Sequence, residues 1–114
     1  TVEQTLQWFE GVVDSNGLAG YWPGSKGYVS LTSWVVQFMV EARAADYQIN
    51  EKLLDKMTTA LRKSLRSDYK YFISGESYTE RTMALWALAA TGEIDGAYAA
   101  ELVRKANYLS YGFN

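Results

Sequence analysis

Residues 31–46 read LTSWVVQFMVEARAAD, and residues 83–90 read MALWALAA. In the first stretch Leu31, Trp34, Val35, Val36, Phe38, Met39, Val40, Ala42, Ala44 and Ala45 occupy most of a helical circumference. Only Ser33, Gln37 and Glu41, each four apart, form a narrow polar stripe. A helix apolar on nearly all sides packs between neighbours on both flanks. Residues 83–90 read the same way. Two such sandwiched helices set the fold class as all-α.

The segments around them are amphipathic. Residues 1–13 carry Val2, Leu6, Phe9 and Val13 on one stripe and Glu3, Gln7 and Glu10 on the other side, with Thr1 and Gln4 spaced as a capping box. Asn50 is an N-cap for a third helix, with Ile49 and Leu54 placed as a hydrophobic staple. Leu54, Met57, Leu61 and Leu65 are its inner stripe, while Lys52, Asp55, Lys56, Thr59, Arg62, Lys63 and Arg66 face water. Ser77 and Glu80 form a second capping box opening the fourth helix, which Gly92 ends. A fifth helix is expected over about residues 95–109, with Tyr98, Leu102, Ala106 and Leu109 inside and Glu101, Arg104 and Lys105 outside.

The order is therefore outer, inner, outer, inner, outer. A weak repeat accompanies it at an offset of 47 positions. Thr32 matches Thr79, Phe38 matches Leu85, Met39 matches Trp86 and Ala42 matches Ala89. Hairpins whose inner helix is apolar on both sides stack side by side. Wrapped into a ring, they make an α/α toroid. A plain five-helix bundle satisfies the same periodicity.

Composition narrows the chemistry. The 114 residues contain no cysteine and no histidine, which removes disulfides, a thiol nucleophile, Cys- or His-ligated metal and imidazole acid–base catalysis from this chain. The formal charge is −2, and only Arg62, Lys63 and Arg66 lie close together, so no basic stripe suggests a nucleic-acid partner. No apolar run reaches the roughly 18 residues of a membrane span. The chain opens on Thr1 rather than Met. That leads us to expect a piece of a longer parent, the other reading being Met removal from a short native protein.

Between the first two helices lies the loop DSNGLAGYWPGSKGYVS, residues 14–30. A loop this long needs its own packing or a function. Tyr21, Trp22 and Tyr28 are expected to supply the packing, with Trp22 as anchor. The competing reading makes the same three residues a contact loop. The Walker lysine spacing is missing, so a phosphate loop is a poor fit. Asp14, Asn16 and Glu10 fall short of a calcium loop, and a turn is the better reading. A glycosidase pair would have to come from Glu41, Glu76 and Glu80, but Glu80 already has a capping role. Met39, Met57 and Met83 read as core filling. Tyr69, Tyr71 and Phe72 are expected to pack under the link between hairpins. We identify no catalytic, cofactor or metal residue.

The stretch over residues 17–47, GLAGYWPGSKGYVSLTSWVVQFMVEARAADY, resembles the middle of the thioester domain of bacterial alpha-2-macroglobulins. The resemblance is carried by the turn Asp14-Ser15-Asn16-Gly17, the segment Gly20-Tyr21-Trp22-Pro23-Gly24, the helix start Leu31-Thr32-Ser33-Trp34-Val35, Glu41-Ala42-Arg43 near its end, and the link Tyr47-Gln48-Ile49. Arg81-Thr82-Met83-Ala84-Leu85-Trp86-Ala87-Leu88 and Thr91-Gly92-Glu93 resemble the next hairpin. In all it covers roughly residues 5–105, on short motifs.

The family is a protease trap in which a cut bait region triggers rearrangement and a Cys-Gln thioester captures the attacker. The resemblance implies an α/α toroid of the terpenoid-cyclase and thioester-domain type, of which this chain is one part. It implies a non-catalytic scaffold role in a protease inhibitor, no cofactor, an extracytoplasmic location, and as partners proteases and the other domains of the parent. Glu3-Gln4 has no Cys two positions before the Glu, so no role is carried over to it. Either the thioester motif lies upstream or the parent belongs to a branch without it. An incomplete toroid would expose an inner apolar face, which would favour a homodimer of the isolated piece. Two other classes stay open: a carbohydrate-active toroid enzyme, and a plain protein-interaction module using Tyr21, Trp22 and Tyr28. A terpene cyclase fits less well, because an Asp-rich motif is missing.

Overall fold

The structure is a computed structural model that describes residues 1–66, 69, 71–72, 77–92 and 104. Among the described residues four helices can be bounded: α1 (Val2–Val12), α2 (Val29–Ala44), α3 (Glu51–Ser64) and α4 (Ser77–Ala90). No strand occurs among the described residues beyond two isolated bridges. α2 packs most extensively on α4, α3 lies against both, and α1 touches α2. The expected fifth helix lies outside the described residues except for Arg104, which is helical.

Local chemistry explains the helix starts. In α1 the Gln4 amide donates to Thr1 Oγ1 at 3.2 Å and the Thr1 amine donates to Gln4 Oε1 at 3.0 Å, the expected capping box. In α3 the Leu53 amide donates to Asn50 Oδ1 at 3.1 Å. The Asn50 Nδ2 donates in turn to Glu10 Oε1 at 2.7 Å, tying that cap to α1. Glu51 in the first turn and Arg62 and Lys63 in the last complement the helix dipole. The box expected at the start of α4 falls on Ser77, whose side chain lies outside the described residues.

α2 begins two residues earlier than its apolar pattern indicates. Tyr28 is its N-cap and supplies no side-chain cap. Thr32 Oγ1 donates to the Tyr28 carbonyl at 2.7 Å and Ser33 Oγ to the Val29 carbonyl at 2.8 Å. These hydroxyls bond back to the preceding turn, so both residues sit inside the helix, fully buried. The expected polar stripe therefore loses Ser33. The wet side of α2 is instead Trp34 (52% exposed) and Glu41, with Gln37 half-buried.

No residue from 35 to 40 is exposed, and within 83–90 only Trp86 and Ala90, four apart, are exposed, with Met83 and Ala89 half-buried. Both helices are thus covered on most of their circumference, each with a narrow strip marked by a tryptophan. α2 closes in a Schellman arrangement, with Asp46 at φ 69°, its amide on the Arg43 carbonyl (3.0 Å) and the Tyr47 amide on the Ala42 carbonyl (3.0 Å). α4 closes as expected at Gly92, φ 82°.

The core gathers Phe9, Leu18, Val29, Val35, Val36, Met39, Leu54, Met57, Leu61 and Leu88. Met39 and Met57 are core-filling, and Met83 is half-buried. Arg81 of α4 donates from Nε to the Ser64 carbonyl (3.2 Å) and from Nη2 to the Arg66 carbonyl (2.8 Å). A cation therefore satisfies carbonyls at the negative end of α3.

Candidate functional site

The loop between α1 and α2 is built from its backbone outward. The Asp14 carboxylate accepts from the amides of Asn16 (2.9 Å) and Leu18 (3.0 Å), turning the chain. Ala19 then bridges Val13 on one side and Tyr28 on the other. The Gly20 amide donates to the Val12 carbonyl and the Tyr28 amide to the Ala19 carbonyl, both at 2.9 Å. The Ala19 amide donates to Thr32 Oγ1 at 2.8 Å, so one buried hydroxyl locks the loop to α2. Leu18 and Ala19 are buried.

At the tip the Ser25 amide donates to the Trp22 carbonyl at 3.0 Å, with Pro23 second and Gly24 third at φ 81°. Pro then positive-φ Gly is the type II turn pattern. The Trp22 amide also donates to Ser25 Oγ at 3.3 Å. Tyr21 is 57% and Trp22 64% exposed, and Tyr28 is half-buried. The Tyr21 and Tyr28 rings lie 5.4 Å apart at 57°, and Lys26 Nζ lies 5.7 Å from the Tyr28 centroid.

The expectation that Trp22 anchors the loop is corrected by this arrangement. Leu18, Ala19 and the backbone ladder pack the loop, and the tip stands in water because the turn holds it there. Trp22→Ala should accordingly shift stability by no more than about 0.5 kcal/mol, as at ordinary surface positions. A thermal melt checks this. A loss of several kilocalories per mole would restore the anchor role.

The other sequence candidates separate. Asp14 serves the turn and Glu10 pairs with Asn50, and among the described residues no group of three or more acidic side chains could hold a metal. Glu41 is exposed and Glu76 lies outside the described residues. Glu80 is only 2% exposed, and the Ser30 amide donates to its Oε1 at 3.4 Å. Its carboxylate thus sits at the positive end of α2, where Tyr28 supplies no side-chain cap. Sequence reading missed this role, because the partner amide is 50 positions away.

Tyr69 stands 5.5 Å from the Tyr71 ring and 4.9 Å from Phe72, which in turn carries the Arg81 guanidinium at 4.8 Å from its centroid. Tyr69 and Phe72 pack on the core and Tyr71 is 38% exposed, while most of the link under which the three were expected to pack lies outside the described residues. Burial, with Tyr71, Asp14 and Glu80 nearby, pushes the Tyr69 phenol from 10.0 up to about 12. The unfolded chain then loses this proton first as pH rises. The stabilisation is complete below pH 10 and disappears as pH climbs through about 12. An ultraviolet tyrosinate titration should show one late-titrating tyrosine that Tyr69→Phe removes. Identical late phases in both proteins would contradict the assignment.

A groove of about 650 Å³ runs along the outer face of α3, between the Ser15–Asn16 turn and Tyr69 and Tyr71, and it includes Lys52, Asp55, Lys56 and Lys63. The pattern along α3 marks these lysines as water-facing but does not reveal that a loop and two tyrosines wall them in. Comparison of the chain with protein-family models, curated proteins and solved structures finds no match.

Proposed function

We propose that the chain is a non-catalytic scaffold portion of the thioester-type domain of a bacterial alpha-2-macroglobulin-like protease trap, contributing helical hairpins to an α/α toroid. The observation that carries this reading is the packing of α2 on α4 with α3 against both. The stretches resembling that family supply those two inner helices. The 47-position offset supports it further. Trp34 meets Phe9 of the preceding helix α1 at 6.1 Å, and Arg81, its equivalent, reaches the end of the preceding helix α3. Both positions thus face the preceding helix, one through a ring contact and the other through a hydrogen bond to its last carbonyl.

In such a protein the scaffold would keep water from a reactive thioester until the bait is cut. The parent would act outside the cytoplasm, with proteases as its targets. The test is to treat the parent protein with an endoprotease and, separately, with methylamine. The expected result is limited cleavage, a more compact particle by small-angle scattering and protease retained with it. Methylamine incorporation, read by mass spectrometry, tells a covalent trap from one without the thioester. Cleavage with neither retention nor compaction would overturn the reading.

A second reading, a protein-interaction module, is favoured by the exposure of Tyr21 and Trp22 on a preformed turn, since rigid exposed aromatics are the residues that dominate interfaces. It predicts that Trp22→Ala weakens binding to the parent's other domains at unchanged melting temperature. Equal binding of both forms counts against it.

A further inference from the structure

The groove on α3 has a chemistry that fold stability explains at Lys63, in the last turn, but not at Lys52 and Lys56. Lys52, Lys56 and Lys63 are all exposed along it, spanning about 16 Å of helix at 1.5 Å per residue. No hydrogen bond or ion pair engages any of the three among the described residues. Lys52 stands in the first turn of α3, where a cation opposes the helix dipole. Lys52 and Lys56, four apart, repel one another across one turn. A solvated face built for stability alone would reverse both choices.

The walls are held. Asp14 clamps the Asn16 and Leu18 amides, and Gly17 sits so close to α3 that a Cβ there would lie 2.7 Å from the Lys56 carbonyl oxygen. The Ser15–Asn16 wall is thereby pinned to the helix that carries the lysines. On the other side the Tyr71 ring is 38% exposed.

We propose that this groove binds an acidic oligosaccharide. The three lysines take its carboxylate or sulfate groups, and the exposed part of Tyr71 borders the sugar. Asp55 disfavours a dense phosphate chain more than a sugar chain with one charge per residue. Its carboxylate, on the same wall, repels every anion in proportion to its charge density but accepts from sugar hydroxyls, as Asn16 and Ser15 also can. A phosphate chain also gains nothing from an exposed aromatic ring. This site is separate from the Tyr21–Trp22 tip and stands or falls independently of the protease-trap reading.

The test is calorimetric titration of the full chain at low ionic strength with a hexamer of galacturonic acid, with neutral maltohexaose and inorganic tripolyphosphate as the other arms. Saturable binding of the acidic hexamer is expected, weakening as salt screens the lysines, with no binding of maltohexaose. Lys52→Ala/Lys56→Ala should weaken it roughly tenfold, two exposed charge contacts being lost, without lowering the melting temperature. Lys63→Gln and Tyr71→Ala should each weaken it less. No saturable binding of the hexamer, unchanged affinity in the double lysine variant, or tripolyphosphate binding as tightly as the hexamer would each overturn the assignment.

Discussion

Phe9→Ala should cost about 3–5 kcal/mol, the loss of a fully buried aromatic side chain. Its ring meets Trp34 edge-on at 6.1 Å (90°) and Phe38 at 5.4 Å (87°), so truncation opens a cavity and removes two edge-to-face contacts. Apart from Phe9, α1 is held by Leu6 packing on the core, the buried Val12 and the Glu10–Asn50 hydrogen bond, while the Gly20–Val12 backbone bond ties it to the following loop. The loss should therefore be local first. Hydrogen exchange should quicken in α1 before α3, in the order of their packing. Chemical denaturation gives the magnitude. The neighbouring Trp8, 47% exposed, is the control and should cost far less on replacement by alanine. A Phe9→Ala loss below about 1 kcal/mol would show that α1 is held by something else.

The second large effect is expected at Gly17, where alanine should destabilise by about 2–4 kcal/mol through two additive costs. The backbone stands at φ 82°, which costs an L-residue roughly 1–2 kcal/mol. The new Cβ would lie 2.7 Å from the Lys56 carbonyl oxygen and 3.2 Å from Ala60 Cβ. The nearer contact is the backbone of α3, which cannot step aside as a flexible side chain would, and overpacking of this kind costs about 1–3 kcal/mol. Gly24→Ala separates the two costs, because Gly24 has nearly the same φ (81°) and an added methyl there would meet nothing within 4 Å. It should show the conformational cost alone. Equal losses at the two positions would mean that the loop does not press on α3 as described. The acidic-hexamer affinity of Gly17→Ala should fall as well, since the groove wall moves with that turn.

Several features are legible along the chain because they are decided within a few residues. The Thr1–Gln4 box, the Asn50 cap and the Gly92 terminus each need only side chains and amides within one helical turn. The apolar pattern of α2 runs two residues past its actual end, since Asp46 occupies the left-handed position usually given to glycine. The pattern also starts two residues late, since Thr32 and Ser33 resemble a helix opening. Their hydroxyls in fact return to carbonyls four residues back. For the contact loop, the sequence names Tyr21, Trp22 and Tyr28 but not their exposure. An aromatic in a glycine-rich loop is as consistent with an anchor as with a solvent-facing tip. Leu18 and Ala19 make the choice, because they fill the space beneath the loop.

The sequence by itself determined that the described residues are all-α, where α1 and α3 are capped, and which helices bury most of their surface, because helical periodicity and capping act over one or two turns. Only the tertiary structure decided that Glu80 meets the start of α2, that Trp34 and Trp86 keep a side in water, and that three lysines share a groove with two tyrosines. Those outcomes depend on which neighbour lies against which face. That is settled by packing between residues tens of positions apart, and no local pattern records it.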